Sequence, residues 1–158
     1  MEKYIQPFID VCQNVFKQFV GLDLVPGRPF FEEATTANEW DISSVIGLTG
    51  EARGAVVVSM KTPFALRLTE KLTDTKHTAI DSDVVDAIGE IVNIIAGNVK
   101  KNLEEAFRLV ISLPTIIEGP GHQIKWPNAQ ARIICVPFDS AGGDTFCLSV
   151  AIESTKGA

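Results

Sequence analysis

Apolar residues near the start of the chain recur at helical spacing: Ile5, Phe8, Ile9, Cys12, Phe16 and Phe19 form a stripe over Tyr4 to Val20, and Gly21 follows as a stop signal. Gly21, Pro26, Gly27 and Pro29 make the next stretch read as a connection. The pattern then changes period. Phe30 to Glu33 and Ile42 to Thr49 read as strands, and the second turns at Gly50-Glu51 into Gly54 to Met60, a hairpin with β-branched arms. Pro63 opens a short helix over Phe64 to Leu72, with Thr62 as its expected N-cap.

The longest helical pattern runs from Asp83 to Phe107, with Ser82 or Asp81 positioned to cap it and Asp83 and Asp86 suited to its positive end. Val110-Ile111, Pro114 and a strand-like Thr115 to Glu118 follow, and Gly119-Pro120-Gly121 makes a turn. A final hairpin, Ala131 to Phe138 with Thr145 to Ile152, closes around Ser140 to Asp144. That turn lacks the Lys-Ser/Thr and the following helix of a phosphate loop, so a plain hairpin turn is the expectation.

The order of helix and strands occurs twice. Asp10 to Gly21 sets against Asp86 to Gly97 without a gap, each helix is followed by a Pro and a strand, and each half ends in a glycine-containing hairpin. The implied duplication is asymmetric in its chemistry, because Glu90 and Asn93 of the second half stand against Asn14 and Lys17 of the first. Around the long helix at about 100° per residue, Val85, Ile88, Val92, Ile95 and Val99 fall on a core face. The opposite face collects Asp86, Glu90, Asn93, Gly97, Lys100 and Lys101, with Ile94 beside them.

A polar stripe of this kind is what any solvated helix shows. Three details pull toward a docking face instead. Gly89 and Gly97 each cost about 1 kcal/mol relative to Ala inside a helix, Ile94 is apolar on the wet side, and Asn93 is a poor helix former in mid-helix. Glu90 and Asn93, three positions apart, are surface neighbours.

Composition narrows the classes of partner. The 158 residues carry 14 Lys plus Arg against 20 Asp plus Glu, a net charge of −6, which argues against a nucleic-acid backbone as ligand. With 46% hydrophobic residues the chain supports one core and one domain over residues 1–158. Cys12, Cys135 and Cys147 are odd in number and sit among apolar neighbours, offering neither a disulfide framework nor a metal cage. No secretory signal and no run approaching ~20 apolar residues is present, so a cytoplasmic protein without membrane association is expected.

Asp86-x-x-x-Glu90-x-x-Asn93, continued by Ile94-Ile95-Ala96-Gly97-Asn98 and followed by Ser112-Leu113-Pro114, resembles the signature of the CheC/CheX/FliY family, phosphatases of the phosphorylated response regulator CheY. The likeness extends over nearly the whole chain. Because only the second half carries the motif, the chain is similar to the single-site, CheX-like members. The resemblance implies an α/β fold of the α+β type, with helices on an antiparallel sheet in two pseudo-repeated halves. It also implies a homodimer in which sheets join across the subunit boundary.

By the same resemblance Asn93 orients a water for attack on an aspartyl phosphate, and Glu90 pairs with a lysine of the receiver. An amide both donates to and accepts from a water, which suits the first role. Asp86, Ile94, Gly97, Lys100 and Lys101 would extend the partner-docking face, Asp86 equally well capping the helix, and the two lysines being read in preference as solvated helix lysines. Pro114 would be structural. No metal or cofactor of the chain's own is implied, Mg²⁺ being expected on the response-regulator substrate. A non-catalytic module that docks on a receiver or another signalling protein is the alternative.

Overall fold

The hairpin arms rich in Val, Ile and small residues become the two inner strands of one sheet. The computed structural model describes residues 5–32, 39–106, 108–124, 126 and 132–155. Its strands are β1 (Leu24–Pro26), β2 (Phe30–Glu32), β3 (Ile42–Gly50), β4 (Ala52–Met60), β5 (Leu109–Ile111), β6 (Thr115–Glu118), β7 (Ile133–Ser140) and β8 (Thr145–Ser154). All pairings are antiparallel, in the order β1-β7-β8-β4-β3-β5, with β2 also on β7 and β6 also on β3. Three helices lie on this sheet: α1 (Ile5–Val15), prolonged by a π-helical turn over Phe16–Val20, α2 (Thr62–Thr73) and α3 (Ser82–Leu103).

The register carries the duplication that the sequence suggested. Each outer edge is a strand broken in two. Leu24 and Pro26 pair with Ser140 and Phe138 as Leu109 and Ile111 pair with Gly50 and Leu48. Past the break, Phe30 pairs with Cys135 as Thr115 pairs with Val45. Even the bonds within the breaks match, Gly27 N–H to Pro137 O at 2.7 Å and Ser112 N–H to Gly47 O at 2.9 Å. The two halves meet at β4 and β8, where Val57 pairs with Ser149 at the pseudo-twofold. Each half lends its broken edge to the other half's hairpin, so neither sheet half is complete alone.

One sheet face builds the core. Ile42, Ile46, Val56, Val58, Met60, Val136, Phe138, Phe146 and Leu148 are all buried there against the helices. Burying each large aliphatic or aromatic side chain is worth about 1.5–3 kcal/mol. Phe138 and Phe146 stack at 5.1 Å between ring centroids, and Phe146 continues onto Phe16 at 5.0 Å and Phe64 at 5.3 Å. These rings tie the last hairpin to the π turn and to α2.

Four expectations need correction. The Gly21–Pro29 connection contains β1, a short edge strand in which Pro26 is tolerated because an edge leaves half its backbone unpaired. Thr62 is the first residue of α2 rather than its cap. Lys61 holds the cap position without a side-chain bond, and Asp41 does the capping from just before β3, its Oδ2 accepting from Thr62 N–H at 2.7 Å and Thr62 Oγ1 at 2.9 Å. The long helix stops at Leu103 rather than Phe107, which lies outside the described residues, as do Tyr4, Glu33 and Ala131 at the expected ends of other elements. Val85 is half-buried while Ile91 is fully buried, because α3 packs against α1 and α2 as well as the sheet and buries a wider arc.

The two hydrogen bonds from Thr62 hold the Asp41 carboxyl below the usual carboxylate range. A lowered folded-state pKa stabilises at pH values above the unfolded one, and that contribution is lost as pH falls through the folded value. Asp41→Ala is therefore expected to cost about 1 kcal/mol at neutral pH, the value of a solvent-screened cap, and less at about pH 3. Thermal unfolding of both proteins at the two pH values checks this; an undiminished difference at low pH would contradict it.

Candidate functional site

The site is built on α3, whose start is fixed by Asp81. One oxygen of its carboxylate accepts from Val84 N–H at 3.0 Å, and the other accepts from His77 Nδ1 at 2.8 Å. The His77 bond first, and the Val84 bond after it, hold the Asp81 carboxyl below its usual range. Asp83 stands in the first turn and Lys100 and Lys101 in the last, as the helix dipole favours.

From this start the helix runs as a ridge. Val84, Ile88, Ile91, Val92, Ile95 and Val99 are buried beneath it, while Asp86, Glu90 and Asn93 are exposed along its crest. Neither Glu90 nor Asn93 makes a hydrogen bond or ion pair with any described residue. Asn98 behaves differently: its Nδ2 turns back to donate to Ile94 O at 2.9 Å. Of the two asparagines in the motif, only Asn93 keeps its donor and acceptor free for something outside the chain.

The two glycines of α3 have opposite surroundings. A Cβ on buried Gly89 would meet Pro114 Cγ at 3.4 Å, so this glycine lets the bend before β6 seat against the helix one turn from Asn93. Pro114 closes the Ser112–Pro114 break, and neighbouring Leu113 is 83% exposed beside it. Around Gly97 there is open space, and a Cβ placed there would meet nothing within 4 Å. Its helix cost therefore gains no internal packing. Lys100 is half-buried and Lys101 exposed on the same stripe, at the far end from Glu90.

On the other flank of the ridge lies a cleft of about 550 Å³, lined by Asp83, Asp86, Glu90 and Ile94 of α3, Phe19 of the π turn, and Leu72 near the end of α2. Ile94, expected to be apolar on the wet side, is the half-buried wall of this cleft. Sequence reasoning did not find Phe19, Leu72 or His77 as neighbours of the motif. Phe19 reads as part of the α1 core stripe and shows its true position only through the π turn.

His77, Asp81 and Asp83 bring three ligand atoms within 4.8 Å of one another. The hydrogen bonds of Asp81 to Val84 N–H and His77 hold two of these groups together, and Asp83 follows in the first turn of the helix. Cys135 and Cys147 are diagonal neighbours on β7 and β8, buried and unbridged. The Cys135 thiol is pushed up by its hydrogen bond with Cys147 and by burial, and it donates to Glu32 Oε2 at 2.8 Å.

A free acid–amide pair on a convex helix cannot enclose a small molecule. A surface of this shape suits contact with another macromolecule. The profile of the chemotaxis phosphatase CheX family matches residues 42–139, and the chain belongs to that family. It is 23% identical to the CheY-P phosphatase CheX of Thermotoga maritima, over 96% of this chain and 97% of that protein. The chemotaxis protein CheX of Vibrio vulnificus superposes with a TM-score of 0.86 at 26% identity, covering 96% of this chain and 99% of that one. In a CheX–CheY–BeF₃–Mg²⁺ complex from Borrelia burgdorferi, the matching chain gives a TM-score of 0.80 at 25% identity, over 96% and 98% of the two chains.

Open space around Gly97 has a measurable consequence. Gly97→Ala is expected to stabilise the protein by about 0.5–1 kcal/mol, or a few degrees in Tm, since the methyl meets nothing. Gly89→Ala should gain less because Pro114 already fills its contact distance. Thermal unfolding decides; an unchanged or lowered Tm for Gly97→Ala would contradict the open surface.

Proposed function

We propose that this chain dephosphorylates the aspartyl phosphate of a CheY-like response regulator in chemotaxis. The observation that carries the reading is the exposed, unengaged pair Glu90 and Asn93 on a ridge flanked by the Leu113–Pro114 bend and a cleft. Family membership and the CheY-bound relative support it.

The chemistry asks little of the phosphatase. In the substrate, Mg²⁺ and receiver side chains already neutralise the phosphoryl oxygens. The phosphatase then supplies position, which dominates phosphoryl transfer. Asn93 places a water in line, its amide oxygen accepting a hydrogen bond from the water and its N–H₂ group available to the water or a phosphoryl oxygen, and the water's protons leave with the phosphate or to solvent. Water attacks phosphorus, the P–O bond to the receiver aspartate breaks, and inorganic phosphate leaves. Glu90 pairs with a receiver lysine and sets the register of the ridge. Asp86, Ile94, Gly97, Lys100 and Lys101 extend the contact surface along the helix.

The working form we propose is a cytoplasmic homodimer joined through sheet edges. Val25, Phe30 and Phe31 leave 65, 51 and 43% of their surfaces exposed on the β1–β2 edge, an arrangement that favours pairing with a second copy. No helix among the described residues is long and apolar enough to cross a membrane.

Mixing the protein with a phosphorylated CheY-like receiver should accelerate phosphate release. Asn93→Ala should lower the rate about a hundredfold or more, and Glu90→Ala should chiefly raise KM. No acceleration by the wild type, or full activity in Asn93→Ala, would overturn the assignment, and binding without release would favour the docking-module reading. Light scattering at micromolar concentration should give twice the 17.1 kDa of one chain; the mass of one chain would exclude the dimer.

A further inference from the structure

The cleft beside the ridge combines apolar and acidic side chains. It is lined by the apolar side chains of Leu72, Phe19 and half-buried Ile94, by Thr73 and Thr75, and by the carboxylates of Asp83, Asp86 and Glu90. Among the described residues no Lys or Arg lines it, and the other titratable lining group, His77, has its Nδ1 bonded to Asp81. None of the three carboxylates has an ion-pair partner among the described residues. An anion is repelled by such a lining, and a wholly apolar group would leave three charges facing it.

A π turn brings Phe19 to the cleft. Gly21 N–H bonds to Phe16 O, five residues back, and Gly21 then ends the helix at φ 72. Phe16 and Val20 are buried, while Phe19 is 45% exposed and lines the cleft.

We propose that this cleft receives a basic side chain of the partner receiver, Arg or Lys, with its methylene stem against Phe19, Leu72 and Ile94 and its charged head between Asp83 and Asp86. Long cationic side chains bury their stems on apolar surface and keep the charge at the rim, which is the shape on offer. Glu90 belongs to both cleft and ridge, so the cleft contact continues the interface through which the proposed reaction runs. This inference rests on that reading for its partner. It makes the cleft a specificity element: the ridge acts on any phosphorylated receiver, and the cleft selects those with a basic residue at the matching position.

Two measurements test it, and the first needs no receiver. In NMR titrations of the full chain, n-butylguanidinium should shift Phe19, Leu72 and Ile94 saturably, and neutral n-butylurea should not. The shifts should vanish in an Asp83→Asn, Asp86→Asn double variant whose thermal unfolding confirms that it is folded. Equal binding of both probes, shifts elsewhere, or shifts untouched by the double variant would overturn the proposal. In the second, the double variant should raise KM for the phosphorylated receiver about five- to tenfold while kcat stays within twofold, and added salt should erode the difference. An unchanged KM with an active wild type would overturn the cleft's role in recognition. An inactive wild type would fail the phosphatase reading instead, and the guanidinium titration would still decide what the cleft binds.

Discussion

The antiparallel pairing of β4 with β8 is the constraint on which the rest depends. From Ala52 with Ser154 to Met60 with Phe146 it joins the two halves without a break. With side chains alternating between faces, a slip of one residue here would move every core position to the wrong side. The pairing also fixes both hairpins, and the hairpins fix the broken outer strands. The Ser112–Pro114 break, held by Ser112 N–H to Gly47 O, sets Pro114 against Gly89. In this way the central register is transmitted to the helix that carries Glu90 and Asn93.

Duplication explains why the molecule has a scaffold on both sides and a candidate site on one. The two broken edges match in register and backbone bonding, but the helices above them have diverged. In the first half, Gly21 ends α1 in a left-handed conformation and Lys17 reaches Asp23 across an exposed pair at 3.7 Å. In the second, Gly97 lies within α3 and leaves its surroundings open. The first helix has in turn taken a different task, offering Phe19 to the cleft beside its counterpart.

Much of this was legible in the sequence. The β-branched hairpins and the long amphipathic helix follow from periodicity and side-chain type, and the structure forms them, the helix ending short at Leu103; periodicity makes Glu90 and Asn93 neighbours on that helix, and only the family resemblance singles them out. What escaped depends on distant segments meeting. The strand Leu24–Pro26 looks like a turn because its Pro and Gly neighbours dominate locally, and only β7 gives it a partner. Thr62 looks like a cap because the real cap, Asp41, is far away in sequence. The cleft draws on the π turn, the end of α2 and one side of α3, and no local pattern announces that convergence. Gly89 and Gly97 appear equivalent as letters, but one accommodates a proline and the other accommodates nothing within the chain.

The central claim is that Asn93 serves the reaction and the rest of the ridge serves the docking. The most direct measurement is the affinity of Asn93→Ala for a receiver loaded with BeF₃⁻ and Mg²⁺, set beside its single-turnover rate on the phosphorylated receiver. Affinity within about twofold of wild type together with a rate lower by about a hundredfold is the predicted result, because a water-positioning amide acts on the barrier and not on the bound state. Lost affinity in proportion to lost rate would contradict it and reduce Asn93 to one more contact.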